Sequence, residues 1–315
     1  MSYGELIKDA FRITLRNRYL WFFGFFVGGA FGTNFPSGGG NFNSEDFDRS
    51  GIPFFGSQIS GGETALIVGL VVLALLLFLA FIVLTLISQG GLADSVYALD
   101  RGETRRFSST WRAGTSRFWR VLGYYVVYFL ISLALLIAIA LPVGLLVAGT
   151  LAATDSTGVR VLVIALAALV AFLLAIASFI VLTIVGHFAL REIVVRDAGV
   201  FGSFGGGFRL FRNKVGKSLL VWLVNIGLKI ATWIALALAL LIVGLVLFLP
   251  TIILATQDLS PAALVTGIVA GVILLPIVIV ASAAFGAFFH SYWTLAYLRI
   301  SSPDDQEAAQ AEVAV

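Results

Sequence analysis

SLLVWLVNIGLKIATWIALALALLIVGLVLFLP, residues 218–250, carries a single charge, Lys229, and a single amide, Asn225, in a run otherwise dominated by Leu, Val, Ile and Ala. As an α-helix it would reach about 50 Å at about 1.5 Å per residue, against about 30 Å of bilayer hydrocarbon. The run therefore predicts a membrane-crossing helix with length to spare, and the surplus must tilt or protrude. It lacks the alternation of lipid-facing and lumen-facing residues that marks a barrel strand.

Five further stretches read the same way: 19–35, 64–88, 121–150, 161–187 and 262–293. With 60% hydrophobic residues, 12% charged residues and a mean hydropathy of +1.03, the chain holds more apolar surface than a soluble core can hide. The predicted fold class is all-α: a polytopic integral membrane protein with six transmembrane helices. The amphipathic lead over residues 1–18 makes the first stretch a retained anchor rather than a cleavable signal peptide. There is no cysteine, hence no disulfide, thiolate metal site or cysteine nucleophile.

Charge sets the orientation. Seventeen of the 20 Lys and Arg residues fall before the first span, between spans two and three, between four and five, or after the sixth; the exceptions are Arg49, Arg160 and Lys229. Loops retained in the cytoplasm carry the Lys/Arg excess, so both termini are predicted to be cytoplasmic. The opposite loops hold the acids Glu45, Asp46, Asp48, Glu63, Asp155 and Asp258.

Stacking the basic segments exposes a repeat. Residues 10–18 read AFRITLRNR, residues 207–214 read GFRLFRNK, and residues 111–120 read WRAGTSRFWR as a more distant copy. Each leads into a pair of apolar stretches, and the second stretch of each pair overruns into a basic segment, as in LREIVVRDAG over 190–199. One membrane domain over 1–300 is expected, with repeats at about 3–102, 107–199 and 201–300, followed by an acidic mobile tail over 301–315. A proline falls near the end of, or inside, the first span of each repeat: Pro36, Pro142 and Pro250.

On a helix, Glu5, Lys8, Asp9, Arg12 and Arg16 share one side, leaving Leu6, Ile7, Ala10, Phe11 and Leu15 for the other. In the third copy Phe201, Phe204, Phe208 and Phe211 form a stripe beside Arg209, Arg212 and Lys214, with Ser203 placed to act as N-cap. Its run Gly205-Gly206-Gly207 must either fray or pack very closely. An aromatic face with a basic rim suits the phosphate boundary of an anionic leaflet. Candidate lipid-contacting residues are therefore Arg12, Arg16, Arg112, Arg117, Arg120, Arg209, Arg212 and Lys214. The same segments also read as plain helix starts that obey the charge rule.

A second candidate site lies within the apolar stretches. Lys229 is the one charge deep in such a stretch, with Asn225 one turn before it, and an intramembrane cation is a functional candidate by default. Residues 232–250 can span alone, which would let Lys229 snorkel to the boundary; Asp94 and Glu192 are the nearest conceivable partners. His187 and His290 occupy matching positions, each seven residues before Val194 and Tyr297, where the first repeat has Gly90 beside Gln89. Asn225, Lys229, His187 and His290 together form a possible polar bundle site. No carboxylate lies one turn from either histidine, so no metal is expected. No phosphate loop, zinc-protease, nucleophile-elbow or EF-hand pattern is present, and neither an enzyme activity nor a cofactor is predicted.

Residues 111–123 (WRAGTSRFWRVLG) and 197–222 (DAGVFGSFGGGFRLFRNKVGKSLLVW) resemble bacterial multi-pass proteins related to the glycerophosphoryl diester phosphodiesterase membrane domain, a grouping that includes families of unknown function. The match rests on Trp111, Arg112, Phe118, Trp119, Arg120 and Gly123, then on Phe201, Phe208, Arg209, Phe211, Arg212 and Asn213. The resemblance implies a bacterial plasma (inner) membrane location and a lipid-related setting, and carries over no catalytic residue. The expected function is non-enzymatic: binding or organising membrane lipids, above all anionic ones, or scaffolding a protein partner at the cytoplasmic face, with no role in nucleic-acid binding. The alternative is a transporter or channel for a small or amphipathic solute, its path running through the repeat interface.

Overall fold

The computed structural model describes residues 2–28, 61–257 and 260–301. The end of the first expected span, the acidic loop over 41–51 and the tail over 302–315 lie outside the described residues. Among the described residues nine helices follow one another: α1 (Tyr3–Arg16), α2 (Tyr19–Gly28), α3 (Gly61–Asp100), α4 (Phe107–Ser116), α5 (Phe118–Ala153), α6 (Thr157–Val195), α7 (Val200–Asn213), α8 (Val215–Thr256) and α9 (Ser260–Ile300). Five of them, α3, α5, α6, α8 and α9, are long and apolar enough to cross a membrane; α2 is a shorter apolar helix.

These helices run past their expected ends. The stretch expected to close at Pro250 continues to Thr256, because Pro250, like Pro142 and Pro276, sits inside a helix. Long apolar helices tolerate such a proline where neighbouring groups take up the freed carbonyl. At the other end, the span over 161–187 continues into the expected overrun as far as Val195 and carries Arg191 and Glu192 with it.

Each amphipathic helix meets the helix that follows it at a break. One non-helical residue, Arg117 or Lys214, separates α4 from α5 and α7 from α8. Between α1 and α2, Asn17 caps by donating its side-chain amide to the Ile13 carbonyl at 2.9 Å, and the Trp21 indole N–H donates to the Thr14 carbonyl at 2.9 Å. Carbonyls that the end of α1 would leave without partners are thus satisfied. Ser203 is not the N-cap of α7. The helix begins at Val200 after an extended Gly199, and the buried Ser203 hydroxyl donates back to the Val200 carbonyl at 2.6 Å.

Burial is concentrated at one end, here termed the basic end. There the last turns of α3 (86–98), α6 (184–194) and α9 (286–297) hold most of the buried side chains, and these three helices touch one another. The inward faces of the short helices cover them: Leu6, Ala10 and Thr14 of α1, Thr110 and Gly114 of α4, and Ser203, Gly207 and Phe211 of α7. Toward the far ends the long helices present apolar side chains outward; Leu145 is 67% and Val246 66% exposed. Such a surface is stable only in hydrocarbon.

Two close approaches fix this end. The α2 glycines Gly24 and Gly28 lie against Ala283, Gly286 and Ala287 of α9, where a Cβ on Gly24 or Gly286 would run into backbone of the other helix. Small residues at such a crossing let helices pack by backbone contact where no hydrophobic force separates lipid from protein. The glycine run of α7 does not fray. Gly207 rests on the Val185 carbonyl and Ala189 of α6, and Gly206 on the Glu192 side chain.

Candidate functional site

Within the buried end lies a polar network centred on Arg191. It follows His187 by one turn of α6, so both side chains leave the same face of the helix. The Arg191 Nη1 donates to His187 Nδ1 at 3.3 Å and to the His187 carbonyl at 3.1 Å, while Nη2 donates to the His290 carbonyl of α9 at 3.4 Å. That carbonyl also accepts from the Thr294 hydroxyl at 2.9 Å. His290 Nε2 donates to Gln89 Oε1 of α3 at 3.0 Å. One chain of hydrogen bonds thereby joins the three long helices.

The contacts assign the tautomers. An arginine can only donate, so His187 Nδ1 is the acceptor and its ring proton sits on Nε2. The bond to Gln89 places the His290 proton on Nε2 as well, leaving Nδ1 buried without a partner, as is Arg191 Nε. Aromatic rings wall the network. His187 stacks on Trp293 with ring centroids 4.1 Å apart and planes at 15°, and Tyr124, stacked on Phe204, donates its hydroxyl to the Gly186 carbonyl at 2.9 Å.

Arg191 is only 1% exposed. Among the described residues it forms no ion pair, and the neighbouring acid Glu192 pairs with Arg196 instead. A guanidinium withdrawn from water without a carboxylate is costly, and hydrogen bonds to carbonyls and an imidazole offset only part of that cost. The sequence reading placed Arg191 in a cytoplasmic loop as one cation among many. The structure places it in the core, because α6 continues past His187 for two more turns.

Lys229 comes close to this network from α8. Its Nζ lies 5.9 Å from the centroid of Phe289, one turn before Trp293 on α9. Phe289 and Trp293, one turn apart on α9, thus carry Lys229 and His187 respectively. Asn225 is buried one turn earlier on α8, and among the described residues its Oδ1 has no partner and no hydrogen bond joins it to the network. The conceivable partners Asp94 and Glu192 are engaged elsewhere. Asp94 lies between Arg117 at 3.1 Å and Arg105 at 3.4 Å, and Glu192 pairs with Arg196 at 3.2 Å.

The candidate lipid-contacting residues divide by surroundings. Arg12, Arg16, Arg112, Arg209 and Arg212 are exposed. Arg117 is half-buried on Asp94, Arg120 pairs with Asp197, and Lys214 forms the break between α7 and α8. Arg12 and Arg16 line an open cleft of about 580 Å³ at the basic end, with Arg105, Arg299, Asp9 and Asp100. A second, apolar groove of about 440 Å³ runs between α5 and α6 and is bounded by Phe204 and Phe208 of α7. Among the described residues, no three His, Asp or Glu side chains converge as metal ligands would.

Sequence reasoning missed Arg191 and Gln89 as members of the site. The signal for Arg191 was its spacing, one helical turn from His187 on the same face; for Gln89 it was adjacency to the position matching the two histidines. No curated protein and no solved structure is detectably similar to the chain. The model of DUF7544, a family of unknown function, matches residues 19–304, and the chain belongs to that family.

Proposed function

We propose that the chain is a non-enzymatic, multi-pass protein of a bacterial plasma membrane that binds anionic lipid through its short amphipathic helices. The observation that carries this reading is the pairing of exposed arginines with exposed apolar side chains on those helices: Arg12 and Arg16 beside Phe11 and Leu15, Arg112 beside Phe107, and Arg209 and Arg212 beside Phe201 and Phe208. They ring the end of a set of long apolar helices, where acyl chains give way to headgroups. The reading includes six spans, of which α2 begins the first, three units of short helix plus two spans, and termini that both face the cytoplasm. The resemblance of 111–123 and 197–222 to the glycerophosphoryl diester phosphodiesterase membrane domain fits the same lipid setting.

Each exposed arginine near an anionic surface contributes about 1 kcal/mol. The purified protein is expected to retain phosphatidylglycerol over phosphatidylcholine in native mass spectrometry, and R12Q/R16Q/R112Q/R209Q/R212Q to lose that preference. Equal retention of the two lipids by the unmodified protein would overturn the proposal.

A further inference from the structure

The apolar groove between α5 and α6 carries a second inference. Its lining on α6, Ala177, Ser178, Val181 and Val185, follows one face of that helix, opposite Ile131 and Leu135 of α5. From Val185 to Ala177 this face runs about 12 Å at about 1.5 Å per residue, most of the about 15 Å that one leaflet contributes to the hydrocarbon. Both helices are long and apolar enough to cross a membrane, so the groove opens onto acyl chains. Its volume of about 440 Å³, spread over that length, leaves a channel narrower than the about 10 Å diameter of a helix with its side chains. One hydrocarbon chain fits it, and a second helix does not.

Two features set the groove apart from the other apolar surface. The first is a contrast within the chain. α4 sits on α3 as α7 sits on α6, with Gly114 against the Ile87 carbonyl and Gly207 against the Val185 carbonyl. Beside α4, the space between α2 and α3 is taken up by the chain's own rings: Phe26 meets Phe81 with centroids 5.3 Å apart, and Phe22 meets Phe107 at 5.2 Å. Beside α7, small and aliphatic side chains leave the corresponding space open. The second feature is the mouth at the basic end. It is bounded by Phe204, stacked on Tyr124, and by the half-exposed Phe208. Arg212 follows Phe208 by one turn on the same side of α7, and Arg209 adjoins it; both are exposed. An occupant that matches this surface is apolar along α5 and α6 and anionic at α7. We propose that the groove holds one acyl chain of an anionic phospholipid, with the headgroup phosphate on Arg209 and Arg212. The inference rests on the lipid reading above and narrows it to one bound molecule at one of the three short helices.

The test places the full chain in phosphatidylcholine nanodiscs with a trace of phosphatidylglycerol or phosphatidylcholine that carries a diazirine in one acyl chain. After irradiation, labelled residues are mapped by mass spectrometry. The phosphatidylglycerol probe is expected to label 131–135 and 177–185 well above Leu241 and Leu245, which are exposed on α8, and the phosphatidylcholine probe to label the two regions alike. S178F, which fills the groove, is expected to lose the excess down to the Leu241 level, and R209Q/R212Q to lose it as well. R12Q/R16Q/R112Q is expected to keep it. Groove labelling no higher than at Leu241 in the unmodified protein would overturn the proposal, and that result needs no variant to fold. An equal excess from both probes would also overturn it, as would an excess that vanishes when the protein-to-lipid ratio is raised, which would assign the groove to a second copy of the chain. Retention of phosphatidylglycerol over phosphatidylcholine in native mass spectrometry, with no groove excess, would remove this inference and leave the broader lipid reading standing. Equal retention of the two lipids would remove both.

Discussion

Arg191 shows how far one side chain can be from its sequence reading. Counted along the chain it belongs with the basic residues used to infer orientation, and Arg196, five residues on, lies at the surface. Depth is what separates them: α6 ends at Val195, so Arg196 is exposed while Arg191 lies a turn inside, beneath α9. Charge counting locates residues by position and has no term for the surplus length of a helix. Replacing Arg191 by Met removes a buried charge together with its hydrogen bonds, two terms of opposite sign. R191M is therefore expected to unfold within about 1 kcal/mol of the unmodified protein while the His187 Nδ1 resonance loses its hydrogen-bond shift. Thermal unfolding in detergent and ¹⁵N spectra read the two quantities. A loss of about 3 kcal/mol or more would mean that the guanidinium is balanced by a fixed counter-charge.

Among elements, the crossing of α2 and α9 depends on what is missing from Gly24 and Gly286. A side chain at Gly286 has nowhere to go but into the α2 backbone, so G286V must force the two helices apart. Overpacking of this kind costs about 1–3 kcal/mol. G244A is the matched control. Gly244 of α8 has open space around it, and an alanine there is expected to be neutral or to add about 0.5–1 kcal/mol. Comparing the unfolding midpoints of the two variants checks the crossing; similar midpoints would dismiss it.

The helices themselves were legible in the sequence because runs of Leu, Val, Ile and Ala leave no other structure open to them. The crossing was written there as well, in the Gly24 and Gly28 spacing of GFFVG, but a glycine pair names a contact surface without naming its partner. The same holds for the polar site. His187, His290 and Lys229 stood out as polar residues in apolar stretches, whereas the link through Arg191 and Gln89 needed three helices in register. Ser203 went wrong for a local reason: a serine before a periodic stripe suits a cap, but Gly199 begins the helix first.

For the whole molecule, the distribution of cations and the position of the short helices support one basic face toward the cytoplasm. The chain has no cysteine, so single cysteines placed at Ser44 and at Ser302 report sidedness without background. A membrane-impermeant maleimide added to intact cells is expected to label the cysteine at Ser44 and spare the one at Ser302. Labelling at Ser302 would invert the topology.

The uneven burial of the molecule has a mechanical consequence. Contacts among α3, α6 and α9 are gathered at the basic end, while the far lengths of α5, α6, α8 and α9 meet their surroundings mostly as exposed aliphatic side chains. The far ends are tied only in pairs, α8 to α9 through Thr251 and Thr266 and α5 to α6 through Arg160 and the Leu151 carbonyl, and pairs anchored at the basic end can follow a change in bilayer thickness by altering tilt, at a fraction of a kcal/mol per Å of mismatch. The compliant part of the protein is thus kept apart from its polar core. A thinner or thicker membrane would splay or gather the outer limbs while Gln89, His187, Arg191 and His290 kept their register.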